Sequence, residues 1–181
     1  MIETEYDVIV AGYGPVGETC ANLLGYYGIK ALILDKEKDA YPLPRAITWD
    51  AECQRAMSHC EFLSEVKTRK IRGVDNKDAN KKSIMKITME GFDTYNYQHR
   101  ILFIHQPQFD EAHRENAKKY STNTIKTGSE LLAVDEINGV VNCTYKDIET
   151  NEQFKVTSKY LLACDGANST VRELNKIKLN S

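Results

Sequence analysis

Apolar residues near the amino terminus alternate between short continuous runs and helical spacing. The β-rich run Tyr6 to Ala11 predicts a buried strand. We expect a helix next, with Gly28 as its stop. The apolar positions of this helix are Val16, Cys20, Leu23, Leu24 and Tyr27. A second apolar run begins at Ala31 and ends at Asp35, so the pattern predicts a βαβ unit of about 30 residues with a right-handed crossover.

The pattern is weaker in the middle of the chain. Residues 36–48 form a predicted loop with Pro42 and Pro44. Thr48 is expected to cap a helix. The apolar positions of that helix are Trp49, Cys53, Ala56, Cys60 and Leu63. The polar stretch 73–82 predicts an exposed turn, with strands at 84–89 and 101–104.

The last third predicts one helix followed by strands. The helix begins near Pro107. One side of it carries Phe109, Ala112, His113, Asn116 and Tyr120. Strands at 131–137 and 140–145 flank Asn138-Gly139, a strong hairpin signal, and shorter strands follow at 153–157 and 160–163. The whole order predicts a Rossmann-like α/β domain with a central parallel sheet plus a β-meander.

Composition narrows the function classes. The formal net charge of -2 gives no field that favours nucleic acid or an acidic membrane. The apolar runs are too short to span a bilayer, and the acidic start is not a secretory signal, so we expect a cytoplasmic protein. The five cysteines form no CxxC pair and the four histidines show no metal spacing, so we expect reduced thiols and no metal site.

A glycine-rich turn lies between the first strand and the first helix. Gly12 permits the tight turn, Gly14 lets a pyrophosphate approach the backbone, and Gly17 lets helix and strand pack closely. The first helical residues, Pro15 and Val16, open a helix whose free N–H groups and positive dipole end face the phosphates. The turn therefore predicts a dinucleotide site.

The second strand supplies an acid for that site. The Asp35 carboxylate can accept both hydroxyl hydrogens of an adenosine ribose, and Lys36 follows it directly. A 2′-phosphate would be repelled, so the expected nucleotide is FAD or NAD and not NADP. The residues alone leave FAD and NAD open.

Two loop motifs resemble one flavoprotein family. Arg45 lies in Tyr41-Pro42-Leu43-Pro44-Arg45-Ala46, which resembles the Pro-Arg-Ala segment of class A flavoprotein monooxygenases, most like the 3-hydroxyphenylpropionate hydroxylase and phenol hydroxylase type. Gln106 lies in His105-Gln106-Pro107-Gln108-Phe109, which is similar to that family's Gln-Pro-x-Leu-Glu segment. The resemblance implies an electrostatic role for Arg45 and a contact of Gln106 with the flavin's ribityl chain.

A third motif ends the last strand. Residues 160–169 run into Asp165-Gly166, which resembles the family's Asp-Gly signature near the FAD pyrophosphate. A strand that delivers a carboxylate to the carboxyl edge of the sheet agrees with ligand binding at that edge. Arg172, further on, is a candidate phosphate contact.

The resemblance implies an enzyme and its domain plan. Residues 1–72 and 101–181 would form the FAD-binding domain, and residues 73–100 would be an excursion that starts the substrate domain. NAD(P)H would reduce FAD, and reduced FAD would use O2 to hydroxylate a small aromatic, phenolic substrate. The flavin does the chemistry, so no catalytic side chain is predicted.

Part of the family pattern is missing. We find neither the later Gly-Asp segment nor a complete substrate domain in the 181 residues. We therefore expect the polypeptide alone not to be a competent hydroxylase, and we expect either self-association or a complementing carboxyl-terminal chain. An NAD-dependent dehydrogenase and a noncatalytic dinucleotide-binding or partner-binding module remain alternatives.

Overall fold

The computed structural model describes residues 5–60, 66–89 and 101–179. Leu63 of the second predicted helix, and the part of the predicted excursion from 90 to 100, lie outside these residues. The chain forms two compact units. One comprises Met1–Pro42 and Asp110–Ser181, and the other comprises Leu43–Phe109.

The described residues contain eleven strands and four helices. In chain order they are β1 (Tyr6–Ala11), α1 (Pro15–Tyr26), β2 (Ala31–Asp35), β3 (Thr48–Asp50), α2 (Ala51–Met57), β4 (Arg69–Lys70), β5 (Gly73–Lys77), β6 (Ser83–Thr88), β7 (Ile101–Phe103), α3 (Gln106–Lys118), β8 (Asn123–Thr127), β9 (Ser129–Ile137), β10 (Val140–Asp147), β11 (Gln153–Ala163) and α4 (Thr170–Leu174).

The first unit is built on a six-stranded sheet of order β8-β2-β1-β11-β10-β9. Its first four strands are parallel, whereas β10 pairs antiparallel with both β11 and β9. The predicted α/β fold with a central parallel sheet and a β-meander is therefore confirmed.

Both faces of β1 and β2 are covered, which explains their continuous apolar runs. On one face Val10 and Ile33 pack with Ala21 of α1 and Ala117 of α3. The opposite face carries a second apolar cluster. Its buried members are Ile9, Ala11, Leu32, Leu34, Leu131, Cys143, Tyr145 and Val171.

The buried face of α1 matches the predicted one only in part, since Cys20 and Leu24 pack against the core. Val16 is 63% exposed and Tyr27 is 64% exposed. The buried residues are Gly17, Glu18, Ala21, Asn22 and Gly25. Small residues replace the expected large ones because the neighbouring elements approach α1 closely: a methyl group built on Gly25 would lie 2.4 Å from Cγ of Tyr120.

The predicted Asn138-Gly139 hairpin is confirmed. Both residues have positive φ, at 53° and 77°, as a two-residue turn between twisted strands requires. The two short strands predicted after it are one strand, β11, of 11 residues. Its end is not buried as predicted, because Tyr160 is 66% exposed and Leu162 is 37% exposed.

The second unit contains a three-stranded sheet of order β3-β7-β4 and the hairpin β5-β6. Thr48 lies in β3 and does not cap α2. Asp50 does so, because its Oδ1 accepts a hydrogen bond of 2.8 Å from the Cys53 backbone N–H. The side of α2 that is buried carries Gln54 and Met57 instead of Cys53.

The predicted turn at 73–82 is half strand. β5 occupies Gly73–Lys77, and the turn itself is held by Asp78 Oδ1, which accepts from the backbone N–H groups of Asn80 and Lys82. Every residue of β5 and β6 is exposed, so backbone pairing and the hydrogen bond from Ser83 Oγ to Asp75 Oδ1 at 2.6 Å hold this hairpin together without an apolar core. β5 was not predicted because its residues are mostly polar and do not alternate between apolar and polar positions.

Candidate dinucleotide-binding site

Three predicted segments meet at the carboxyl edge of the first unit's sheet. β1, β2 and β11 are parallel neighbours, so their ends point the same way. The Gly12 N–H donates to the Leu34 carbonyl at 2.7 Å, and the Cys164 N–H donates to the Ala11 carbonyl at 2.7 Å. The glycine turn is thereby fixed between the Asp35 strand end and the Asp165 turn.

The three glycines of the turn have different surroundings. Gly12 has a φ of 97°, and a methyl group built on it would lie 2.4 Å from the Cys164 carbonyl oxygen. On Gly17 it would lie 1.9 Å from the Gly12 carbonyl oxygen. On Gly14 it would meet nothing within 4 Å. Packing of the protein itself thus requires Gly12 and Gly17, whereas Gly14 borders open space that an outside group can approach.

The first turn of α1 borders the same space. Gly14 is the N-cap residue and brings no side-chain cap, and Pro15 occupies the first helical position. Pro15 and Val16 are exposed. The first N–H groups of a helix lack partners within the helix and carry its positive dipole end. This opening suits a phosphate group.

The Asp35 carboxylate points back to the glycine turn. Its Oδ2 accepts the Tyr13 N–H at 2.5 Å and its Oδ1 accepts the Glu37 N–H at 2.8 Å. Each carboxylate oxygen retains a second lone pair, so ribose hydroxyl groups have acceptors here. Lys36, the next residue, is exposed.

The Asp165 carboxylate organises the turn that follows β11. Its Oδ1 accepts from Ser169 Oγ at 2.6 Å, and its Oδ2 accepts from the Val171 N–H at 3.0 Å. Gly166 is exposed with a φ of 80°. Arg172 donates from Nη2 to the Ala167 carbonyl at 2.8 Å, so its guanidinium closes the loop.

A buried polar cluster under the glycine turn was missed by the sequence analysis. Arg114 of α3 donates from Nε to Glu18 Oε1 at 2.7 Å and from Nη2 to the Tyr13 carbonyl at 2.5 Å. Its guanidinium carbon lies 4.6 Å from the centre of the Tyr13 ring. Arg114 therefore contacts both Tyr13, in the glycine turn, and Glu18, in the first turn of α1. A separation of 96 residues between Glu18 and Arg114 leaves no local signal in the sequence.

Burial is the main cause of the pKa shifts of Glu18 and His113 in this cluster. It raises the pKa of Glu18 to about 8, although the hydrogen bond from Arg114 opposes the shift and the charge of Asp110 adds to it. The pKa of His113 is lowered to about 4 by burial, and its Nδ1 lies 3.8 Å from Glu18 Oε2. The folded state therefore favours the neutral forms of both side chains.

Two predicted site residues lie in the second unit. The side-chain oxygen of Gln106 accepts from the Arg45 N–H at 2.6 Å and from the Ala46 N–H at 2.7 Å. Gln106 is buried and Arg45 is exposed. The structure thus joins the two loop motifs through the Arg45 backbone.

Within residues 5–60, 66–89 and 101–179, no helix has the length and apolar character needed to cross a membrane. The same residues contain no group of three or more His, Cys, Asp and Glu side chains placed to hold a metal ion.

The FAD binding domain family matches residues 5–181 of the chain. The chain belongs to this family. Among curated relatives of this FAD-binding chain is the 3-(3-hydroxy-phenyl)propionate/3-hydroxycinnamic acid hydroxylase of Comamonas testosteroni, which is 29% identical over 174 residues. The alignment covers 95% of the chain but 29% of the relative, so the chain spans about a third of the length of the curated proteins it matches.

Solved structures agree on the fold. p-Nitrophenol 4-monooxygenase PnpA from Pseudomonas putida DLL-E4 superimposes with a TM-score of 0.86 at 23% identity, covering 99% of the chain and 45% of PnpA. The flavin-dependent monooxygenase PieE, solved with FAD and substrate, gives a TM-score of 0.78 at 18% identity, covering 97% of the chain and 32% of PieE. The likeness to these structures is one of fold, and the match to the FAD binding domain family confirms the FAD-binding family inferred from the motifs.

The first unit fits the FAD that its family binds. The space beside Gly14 and the uncapped start of α1 suit the pyrophosphate, and the Asp35 carboxylate offers acceptors for the ribose.

Proposed function

We propose that this chain is the FAD-binding part of an NAD(P)H-dependent monooxygenase that hydroxylates an aromatic, phenolic substrate with O2. The observation that carries the proposal is the open space beside Gly14, at the start of α1 and next to the Asp35 carboxylate, in a chain of the FAD binding domain family. The substrate class is taken from the names of the relatives. The chain covers only 29% of the Comamonas testosteroni relative, so the activity of the whole enzyme is part of the proposal.

The residues have separate roles in the proposal. Asp35 accepts hydrogen bonds from the adenosine ribose, with Lys36 beside it, and its negative charge disfavours a 2′-phosphate. Arg45 supplies positive charge and Gln106 a polar contact on the flavin side. The pyrophosphate is held by the turns formed by Gly12, Gly14, Pro15, Val16, Gly17, Asp165 and Gly166.

Bound FAD would accept a hydride from NAD(P)H and activate O2 for transfer to the substrate ring. The chain's own residues bind and orient the dinucleotide, and no side chain of this chain is assigned a proton-transfer step.

The domain plan and the surroundings of the chain are part of the proposal. Residues 1–72 and 101–181 would bind FAD, and residues 73–100 would begin a substrate domain. Substrate hydroxylation would need more polypeptide than these residues provide, and the chain alone would either self-associate or pair with a complementing carboxyl-terminal chain. The five free cysteines are compatible with the reducing cytoplasm.

Titration of the purified chain with FAD tests the proposal. We expect Gly14→Val to weaken FAD binding by about tenfold or more, because the added side chain fills the space of the pyrophosphate. Its melting temperature should change little, since no atom lies within 4 Å of a methyl group built there. Asp35→Asn should also weaken binding, whereas Asp39→Asn, which removes an exposed charge from the same loop, should not.

The same titration separates the rival functions. Tighter binding of NAD than of FAD would favour a dehydrogenase. Equal FAD binding by Gly14→Val and the parent chain would contradict the proposed site. Robust oxidation of NAD(P)H coupled to a phenolic substrate by the chain alone would contradict the need for further polypeptide.

A further inference from the structure

Two thiols meet directly beneath the glycine turn. Cys20 lies on α1 and Cys164 follows β11, and their Sγ atoms are 4.0 Å apart. Both side chains are half-buried. The two residues are 144 positions apart in the chain, so the fold alone brings them together.

The neighbours of this pair are the glycines of the site. A methyl group built on Gly17, one helical turn before Cys20, would lie 3.6 Å from Cβ of Cys164. The Cys164 carbonyl oxygen limits the space at Gly12, and Asp165 follows Cys164 in the chain. A bond between the two sulfur atoms would therefore link the second turn of α1, which carries Cys20, to the Asp165 turn.

We propose that Cys20 and Cys164 are a redox pair that a peroxide closes into an intramolecular disulfide beside the glycine turn. A disulfide needs an S–S distance of about 2 Å, so the sulfur atoms must move closer by about 2 Å through side-chain rotation. Of the other three cysteines, Cys60 and Cys143 are buried, and Cys53 is exposed on α2.

We assign Cys20 as the nucleophile of the pair, with Cys164 as the hydrogen-bond donor; the contact itself allows either thiol to donate. A hydrogen bond with the Cys164 thiol lowers the pKa of Cys20 to about 7, while the pKa of Cys164 is raised by the same contact. By comparison, burial raises the pKa of Cys143 to about 11. Since the thiolate is the reactive form, Cys20 is then the sulfur that attacks a small oxidant first.

Closure takes two balanced steps. The Cys20 thiolate attacks one oxygen of hydrogen peroxide, the O–O bond breaks, and a Cys20 sulfenic acid and hydroxide form. Cys164 then loses its proton and its sulfur attacks the Cys20 sulfur. The S–O bond breaks and the oxygen leaves as water. In sum two thiols and one peroxide give one disulfide and two waters.

The crosslink would hold the turn in its binding shape. It closes a loop of more than a hundred residues, which restricts the unfolded chain and raises the melting temperature. It also fixes Gly17 and Asp165 relative to each other. The crosslink rests on the thiol geometry alone, whereas its effect on FAD rests on the proposed function.

The test uses the full 181-residue chain carrying Cys53→Ser, which removes the exposed thiol that would join two molecules. We expect hydrogen peroxide to remove two thiols, to lower the mass by two hydrogen atoms, and to give a Cys20–Cys164 linked peptide after proteolysis. Dithiothreitol should reverse all three changes. The melting temperature of the oxidised protein should rise by several degrees.

Cys20→Ser and Cys164→Ser, each in that background, are the matched variants. Neither should form an intramolecular crosslink, and neither should gain stability on oxidation. Two variants are used so that a folding defect in one leaves the other informative. Absence of the Cys20–Cys164 peptide from the oxidised parent, or a crosslink between other cysteines, would overturn the proposal.

A final measurement separates this inference from the FAD site. FAD release from the oxidised protein should be slower by about threefold or more, because the site is pre-organised. An unchanged release rate would overturn the effect on the turn while the crosslink stands. A crosslink in a protein that binds no FAD in either state would refute the proposed function and leave the redox pair intact.

Discussion

Arg114 is one of the residues that connect the glycine turn to the rest of the first unit. It bonds to Glu18 and to the Tyr13 carbonyl and lies against the Tyr13 ring. Asn22 adds to the connection, because its Nδ2 donates to the carbonyls of Glu18 and His113. A ligand that contacts only backbone atoms of the turn therefore depends on side chains that it never touches.

Replacing Arg114 tests this dependence. We expect Arg114→Met to lower the free energy of unfolding by about 3 kcal/mol, because Glu18 and the Tyr13 carbonyl lose a charged donor while they stay buried. Urea denaturation measures the loss. Arg55→Met, which breaks an exposed ion pair with Glu52, is the control and should cost less than about 1 kcal/mol. Equal losses in the free energy of unfolding of the two variants would contradict a larger contribution of Arg114 to stability.

Glu18 should make stability depend on pH. The folded state raises the pKa of this carboxyl from 4.5 to about 8, so the folded protein keeps a proton that the unfolded chain releases. Stability is therefore fully present below pH 4.5 and is lost as pH rises towards 8, by at most about 1.4 kcal/mol per pH unit.

The comparison of Glu18→Gln with the parent isolates this effect. The lowered pKa of His113 acts in the opposite sense, since it removes stability as pH falls from 6.5 to about 4, and it is common to both proteins. We expect the difference in the free energy of unfolding between parent and variant to change steadily from pH 5 to pH 8. A difference that is constant with pH would mean that Glu18 has an ordinary pKa in the folded protein.

Helix α1 shows how far an element can be predicted from its sequence. The strands β1 and β2 were predictable because burial on both faces demands an unbroken apolar run. The Asn138-Gly139 hairpin was predictable because its turn needs positive φ at both residues. The buried face of α1 was not, because close packing selected small and polar residues over the larger apolar ones.

The start of α2 could not be predicted from the local sequence. Thr48 and Asp50 are both good caps, and only pairing of β3 with β7 decides that the helix starts after Asp50.

The candidate site could be predicted in part. The glycine turn and Asp35 lie in one local motif, whereas Glu18, Arg114 and the thiol pair come together only in the folded chain.

Gly25 provides a test at the level of the helix. Alanine is the better helix former, yet Gly25→Ala should destabilise the protein by about 1–3 kcal/mol because its methyl group would overlap the Tyr120 ring. Thermal and urea unfolding measure the change. Adding Tyr120→Ala should make the cost of Gly25→Ala disappear, because the double variant has room for the methyl group. Additive losses would contradict the packing argument.

At the scale of the molecule, the first unit's sheet is unevenly covered. Tyr160 and Leu162 of β11 are registered with Val8 and Val10, so they share the face on which α1 packs. Val8 and Val10 are buried, whereas the two β11 residues are exposed. An apolar surface therefore continues from the core to the solvent at this strand.

This surface should drive the self-association proposed for the isolated chain. We expect Tyr160→Lys combined with Leu162→Lys to shift sedimentation towards the monomer. Ile137→Lys, at the exposed end of the β9-β10 hairpin, is the control and should leave the distribution unchanged. A parent chain that stays monomeric at high concentration would contradict the prediction.

The fully exposed β5-β6 hairpin has a consequence for how this protein tolerates change. Its cross-strand backbone bonds do not depend on which side chains it carries, and its tip at Asp78 to Lys82 is closed by local bonds alone. Insertions at that tip should therefore be accepted with little penalty. The tip of this hairpin is therefore a convenient place for attaching a fluorescent dye.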